Sequence, residues 1–227
     1  FLRDFYGDAN HEHMVFPGMV CISFPTETGS LYTKAELTAL SKVCRAYSLP
    51  LYIDGARMIC GLAASPDLTL PEIASLCDVF YIGGTKSGTL LGEAVVFPRG
   101  NLPPHFTTVV KQRGALLAKG WVLGAQFDAL FTNGLYEKIG RHAIEAAEKM
   151  KGILRRHVCT FAGDSPTNQQ FVVMDDARLA VFSKKIAYSF WEKRDEDHTV
   201  IRLVTDWSTS DADLAALDEA LGEALAR

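Results

Sequence analysis

The chain has 227 residues, 48% of them hydrophobic, with a net charge of −4, which suffices to bury a sizeable core in one large domain or one and a half. Charges of both signs are mixed along it, and no basic stripe with interleaved aromatics occurs, so electrostatic capture of nucleic acid is excluded. No apolar run reaches the length of a membrane span, and the five cysteines lie at scattered spacings with no Cys-x-x-Cys pair, which points away from a zinc or redox motif and towards a reducing cytoplasm.

Phe1 to Phe5 leads into a polar stretch holding His11-Glu12-His13, metal-like in composition but without a further partner, and read as a solvated loop. Val20-Cys21-Ile22-Ser23-Phe24 predicts a buried strand ended by Pro25. Thr33, with Glu36 three positions on, has capping-box spacing ahead of a helix reaching about Tyr47. A strand over Leu51-Tyr52-Ile53 runs into Asp54, a short helix opens near Pro71, and strands follow over 79–82 and over Glu93 to Phe97, the latter stopped by Pro98. Strand alternating with helix predicts an α/β fold on a mostly parallel sheet.

From about Pro104 to Thr132 the pattern is helical, with Gly114, Gly120 and Gly124 inside it and Gly134 as a stop. Leu135 to His157 carries Ile139, Ala143, Ala146, Met150 and Leu154 at helical spacing, which predicts a long surface helix bridging two lobes. Strand-like runs at Gln170 to Met174, Tyr188 to Trp191 and Val200 to Val204, with a final helix from Ser210 to about Leu225, predict a small α+β lobe. The expected domains are therefore residues 1–134 and residues 135–227.

The residues richest in chemistry are Asp54, in Ile53-Asp54-Gly55-Ala56-Arg57, and Lys86, 32 positions later in Gly83-Gly84-Thr85-Lys86-Ser87-Gly88. Each follows a short β-branched and aromatic run, so both emerge from the carboxyl ends of buried parallel strands, where α/β sheets place ligands. Alone, a lysine after a strand is a surface charge and an aspartate at a strand end is a turn or cap residue. The flanking glycines, expected to let a flat ligand approach, and Arg57, whose planar fork suits a carboxylate or phosphate, favour chemistry instead. A P-loop is ruled out, because Phe80 and Thr85 stand where its glycines belong. The pair reads as the anchor of pyridoxal phosphate: an aspartate facing the pyridine nitrogen and a lysine holding the aldehyde as a Schiff base.

Together with Phe16 to Val20, Pro25 to Tyr32 and Ser165-Pro166-Thr167-Asn168-Gln169, these segments resemble the threonine aldolase and aromatic amino acid β-eliminating lyase family over nearly the whole chain. The resemblance implies the aspartate aminotransferase fold, with a large cofactor domain and a small C-terminal domain. It implies Lys86 as the Schiff-base lysine, Asp54 as the pyridinium partner, Thr85 beside the cofactor, and Arg57 and Arg202 as cations for the substrate carboxylate. It further implies Lys119 as a phosphate contact that can reach a neighbouring subunit. Arg202 sits inside an apolar strand, where alternation alone would turn it to solvent.

The implied reaction is cleavage of a threonine-like β-hydroxy-α-amino acid to glycine and an aldehyde by a homodimer or homotetramer, with β-elimination or an inert truncated fragment as alternatives. Family members carry a phosphate-binding glycine segment and a ring-stacking histidine upstream of the aspartate strand. This chain starts too late for either and is expected to be an N-terminally incomplete copy.

Overall fold

The computed structural model describes residues 1–225. A short helix α1 (Leu2–Gly7) and a 3-10 turn at His11–His13 precede strand β1 (Val20–Ser23) and helix α2 (Lys34–Ala46). The capping box forms: the Thr33 hydroxyl accepts from the Glu36 N–H at 3.2 Å and the Glu36 carboxylate from the Thr33 N–H at 2.8 Å. Strand β2 (Leu51–Asp54), helices α3 (Met58–Ala64) and α4 (Leu70–Leu76), and strands β3 (Val79–Gly83) and β4 (Glu93–Val96) follow. Helix α3 had no periodic signal in seven residues, and its start at Arg57 sets the direction of that side chain.

The first sheet runs β1-β2-β3-β4. β1, β2 and β3 are parallel, whereas β4 is antiparallel to β3, pairing Tyr81 with Val95 and Gly83 with Glu93. The turn at residues 84–92 explains the reversal, because it is too short for a crossover helix. Leu51, Ile53, Phe80 and Ile82 point into a core with Leu37 of α2, Met58 and Ile59 of α3 and Ile73 of α4. The opposite face carries the half-buried Tyr52 and Tyr81 and the exposed Cys21 and Val95.

The stretch predicted as one helix from Pro104 to Thr132 is two, α5 (Phe106–Gln112) and α6 (Trp121–Phe131). Gly114 takes φ +71°, a left-handed conformation that helix cannot continue through. Asn133 and Gly134 are also left-handed and turn the chain into α7 (Leu135–Arg156). That helix crosses both cores: Tyr136 and Ala143 belong to the first, Met150, Ile153 and Leu154 to the second. It passes closely over α3, for a Cβ on Gly140 would lie 2.7 Å from the Ile59 carbonyl oxygen.

The second sheet is antiparallel, in the order β5 (Thr160–Phe161), β6 (Gln169–Asp175), β8 (His198–Val204) and β7 (Ser189–Lys193). Helix α8 (Asp176–Phe182) and the final helix α9 (Asp211–Leu225) supply Leu179, Phe182, Leu214, Leu217 and Leu221 to its core. The two-residue β5 was too short to read from periodicity, and the seven-residue α8 falls where the sequence reads as helix or turn. Among the described residues, no helix is long and apolar enough to cross a membrane.

Candidate active site

Asp54 ends β2 and Lys86 lies three residues beyond β3, so the parallel pairing delivers both to one edge of the first sheet. The glycines between them do something other than make room for a ring. Gly83 N–H donates to the Gly55 carbonyl at 3.0 Å, and a Cβ on Gly55 would overlap the Tyr81 carbonyl oxygen, as one on Gly83 would overlap that of Ala56. These glycines let the two strand ends close on each other, and that closure brings the aspartate loop against the lysine loop.

The lysine loop is itself braced. Ser87, fully buried, donates its hydroxyl to the Gly83 carbonyl at 2.5 Å, and the Gly84 N–H donates to Glu93 at 2.5 Å. Gly88 closes the turn at φ +92° with the indole of Trp207 packed over it. Thr85 and Lys86 are left exposed on this rigid turn. Burial of its neighbourhood, and after it the Arg57 guanidinium, lower the Lys86 amine from its ordinary pKa, while Glu93 and Asp54 pull the other way. A lysine amine depressed in this way is more often the free base, the form that attacks a carbonyl.

Asp54 Oδ1 accepts from the Ala56 N–H at 3.1 Å, which orients the carboxylate without neutralising it. Burial, then the Asp54 carboxylate, push the Tyr81 phenol up. Tyr52, two residues before Asp54 on the same face of β2, is raised by burial and by the same carboxylate.

Arg57 is half-buried, and its pKa is lowered first by burial and then by Arg202. The charge of Arg202, on β8, thus acts on Arg57, which caps the start of α3. Alternation does not carry Arg202 into bulk solvent. Its Nη1 donates to Gln169 Oε1 at 3.2 Å, its Nη2 to Ser189 Oγ at 3.4 Å, and its guanidinium lies 5.7 Å from the Trp191 ring. The Arg202 Nε is buried with no hydrogen-bond partner among the described residues. Two repelling arginines and an orphaned donor form a ready anion site.

The charges of Arg57, Asp54 and Arg202 all act on the Lys86 amine, and Thr85 stands on the same turn as Lys86. Lys119 is not part of that group within the chain: it stands in an exposed turn between α5 and α6, and no described hydrogen bond or ion pair ties it to the others. Glu93, Tyr81, Ser189 and Trp191 are additions that motif reading missed. They lie on strands, Trp191 at a register shift in β7, where nothing in the local sequence separates a functional side chain from a packing one. Gln169 had a signal, as the last residue of the Ser165 to Gln169 segment.

The loops and cations define a site of the aminotransferase-fold, pyridoxal phosphate class. Over residues 3–180 the chain matches the β-eliminating lyase family, and it belongs to that family, whose cofactor is pyridoxal phosphate. Among solved structures it is similar to a threonine aldolase of Leishmania major, with a TM-score of 0.89 and 38% identity over 94% of this chain and 63% of that one. A pyridoxal phosphate-bound putative aminotransferase of Clostridium difficile shares the fold at a TM-score of 0.66 and 14% identity, covering 92% of this chain and 58% of that one. A low specificity L-threonine aldolase of Pseudomonas sp. (strain NCIMB 10558) is 33% identical over 144 residues, 63% of this chain and 41% of that protein. The chain spans less than two thirds of the length of each of these relatives.

The residues present fit the cofactor. Asp54 would offer an oriented carboxylate to a ring nitrogen, and Lys86 an exposed amine with a depressed pKa to an aldehyde.

Proposed function

We propose that the protein containing this chain is a pyridoxal phosphate-dependent lyase that cleaves a threonine-like β-hydroxy-α-amino acid to glycine and an aldehyde. The observation that carries this reading is the closure of the two strand ends on each other, the Gly83 N–H donating to the Gly55 carbonyl at 3.0 Å, which supports Asp54 and Lys86 acting on one ligand. The 38% identity to a threonine aldolase supports the choice of substrate class. When bound, the cofactor supplies an electron sink for the bond broken at the α carbon.

The chain's own residues divide the remaining work. Lys86 would hold the cofactor through its amine and, when that amine is free, would serve as the base beside the α carbon. Asp54 holds a proton on the ring nitrogen by its charge. Arg202, with Arg57, grips the α-carboxylate through charge-assisted hydrogen bonds, which fixes the bond to be broken relative to the ring. Thr85 lies against the cofactor, and Lys119 reaches the phosphate of a neighbouring copy in a homodimer or homotetramer. Residues 1–134 belong to the large cofactor domain, and 135–227 to the linking helix and small domain. The unpaired cysteines support a cytoplasmic location.

The test is a product assay on the full-length protein with pyridoxal phosphate, supplying threonine and, separately, serine. Glycine and acetaldehyde from threonine are expected. Pyruvate from serine without glycine from threonine would replace aldol cleavage by β-elimination, and no visible absorbance on adding the cofactor would favour an inert fragment.

A further inference from the structure

The buried Gln169 amide is an unusual neighbour for an arginine, because an arginine inside a protein is ordinarily matched by a carboxylate. Gln169 is fully buried at the start of β6. Its Oε1 accepts from Arg202 Nη1 at 3.2 Å, and its Nε2 donates to the Glu27 carbonyl at 3.5 Å. An amide does both, whereas a carboxylate would lose the donor and neutralise the arginine. The other groups that touch the Arg202 guanidinium directly, Ser189 Oγ and the Trp191 ring, are uncharged too.

Glu27 lies in the loop between β1 and α2, which is latched to the second sheet. Ser165 Oγ donates to the Gly29 carbonyl at 3.3 Å, and a Cβ on Gly29, at φ +81°, would overlap that hydroxyl. Asn168 extends the latch by donating to the Thr205 carbonyl at 2.6 Å, three residues beyond Arg202. The amide of Gln169 therefore joins a loop of the first sheet to an arginine of the second.

We propose that Gln169 is a positioning residue, one that aims Arg202 from the loop after β1 and, by being neutral, leaves the guanidinium charge available to the carboxylate of an amino acid. This rests on the reading that Arg202 takes that carboxylate. Gln169→Glu is nearly isosteric and places a competing carboxylate on Arg202. Gln169→Met keeps the volume and removes both hydrogen bonds.

The probe is propionate, followed by its own NMR line width as it binds the full-length protein loaded with pyridoxal phosphate. Propionamide serves as the neutral control, and thermal midpoint and cofactor affinity are measured alongside. Gln169→Glu is expected to weaken propionate about tenfold or more, the scale of a charge-assisted hydrogen bond. Gln169→Met should weaken it severalfold, and neither should change propionamide or cofactor affinity. In turnover, KM for the amino acid should rise with kcat nearly unchanged.

Arg202→Gln separates the two readings. If it abolishes propionate binding while Gln169→Glu binds as wild type, the role of Gln169 is overturned and that of Arg202 stands. If Arg202→Gln itself leaves propionate binding unchanged, the carboxylate reading fails and this inference fails with it. Should Gln169→Glu not fold, wild-type propionate affinity in Gln169→Met overturns the proposal.

Discussion

The two sheets contribute to the site in different ways. The first presents Asp54 from the last residue of β2 and Lys86 from the turn beyond β3, at the ends of adjacent parallel strands that glycines let close on each other. The second presents Arg202 from the middle of an antiparallel strand, held by groups on the two flanking strands: Gln169 on β6 and Ser189 on β7. Loop residues carry their surroundings in the local sequence, whereas a mid-strand residue takes its surroundings from strands distant in the chain. The first kind of site residue is visible as a motif, and the second becomes a site only through sheet pairing.

Lys86 is the sharpest test of the loop half of this contrast. Borohydride reduction of the protein with pyridoxal phosphate should label Lys86, and Lys86→Ala should lower turnover roughly hundredfold or more. Label on another lysine would break the assignment. The direction of its pKa adds a check: because the folded-state value is depressed, Lys86 loses its proton at lower pH than exposed lysines. Acylation rates followed by peptide mapping should therefore rise at Lys86 first as pH increases.

Asp54→Asn comes next. The amide oxygen can still accept from the Ala56 N–H, so the turn should survive, but a neutral group cannot hold a proton on the cofactor ring, and most turnover should be lost at unchanged thermal midpoint. Near-normal activity would show that the carboxylate acts only as a turn residue.

For the strand half, Arg202→Ala should weaken substrate binding by about 1.5–3 kcal/mol while sparing cofactor affinity, read as a rise in KM. An unchanged KM would reduce Arg202 to a packing residue over Trp191. The smallest expected effect is structural: Gly83→Ala puts a methyl on the Ala56 carbonyl, and overpacking of this kind costs about 1–3 kcal/mol. Urea unfolding measures it. A loss of cofactor binding larger than the loss of stability would tie loop closure directly to the site.

Read alone, the sequence was enough for the α/β class, the order of the strands up to β3, the Thr33 cap, the long helix α7 and the loop pair Asp54 and Lys86. These features depend on side-chain periodicity, capping chemistry and glycine spacing, all of which act within a few residues. It missed α3, whose seven residues are apolar or small throughout and show no polar face, and the two-residue β5, it left the α8 segment as helix or turn, and it joined α5 to α6 because a left-handed Gly114 looks like any interior glycine.

Tertiary structure alone decided the reversal of β4, the use of Gly55 and Gly83 as contact points between loops, and the surroundings of Arg202. Alternation along β8 says only that a side chain faces one side of a sheet. Whether that side is solvent or a site depends on Gln169, 33 positions away, and on Ser189 and Trp191, and those neighbours exist only once β6 and β7 have paired on either side of β8.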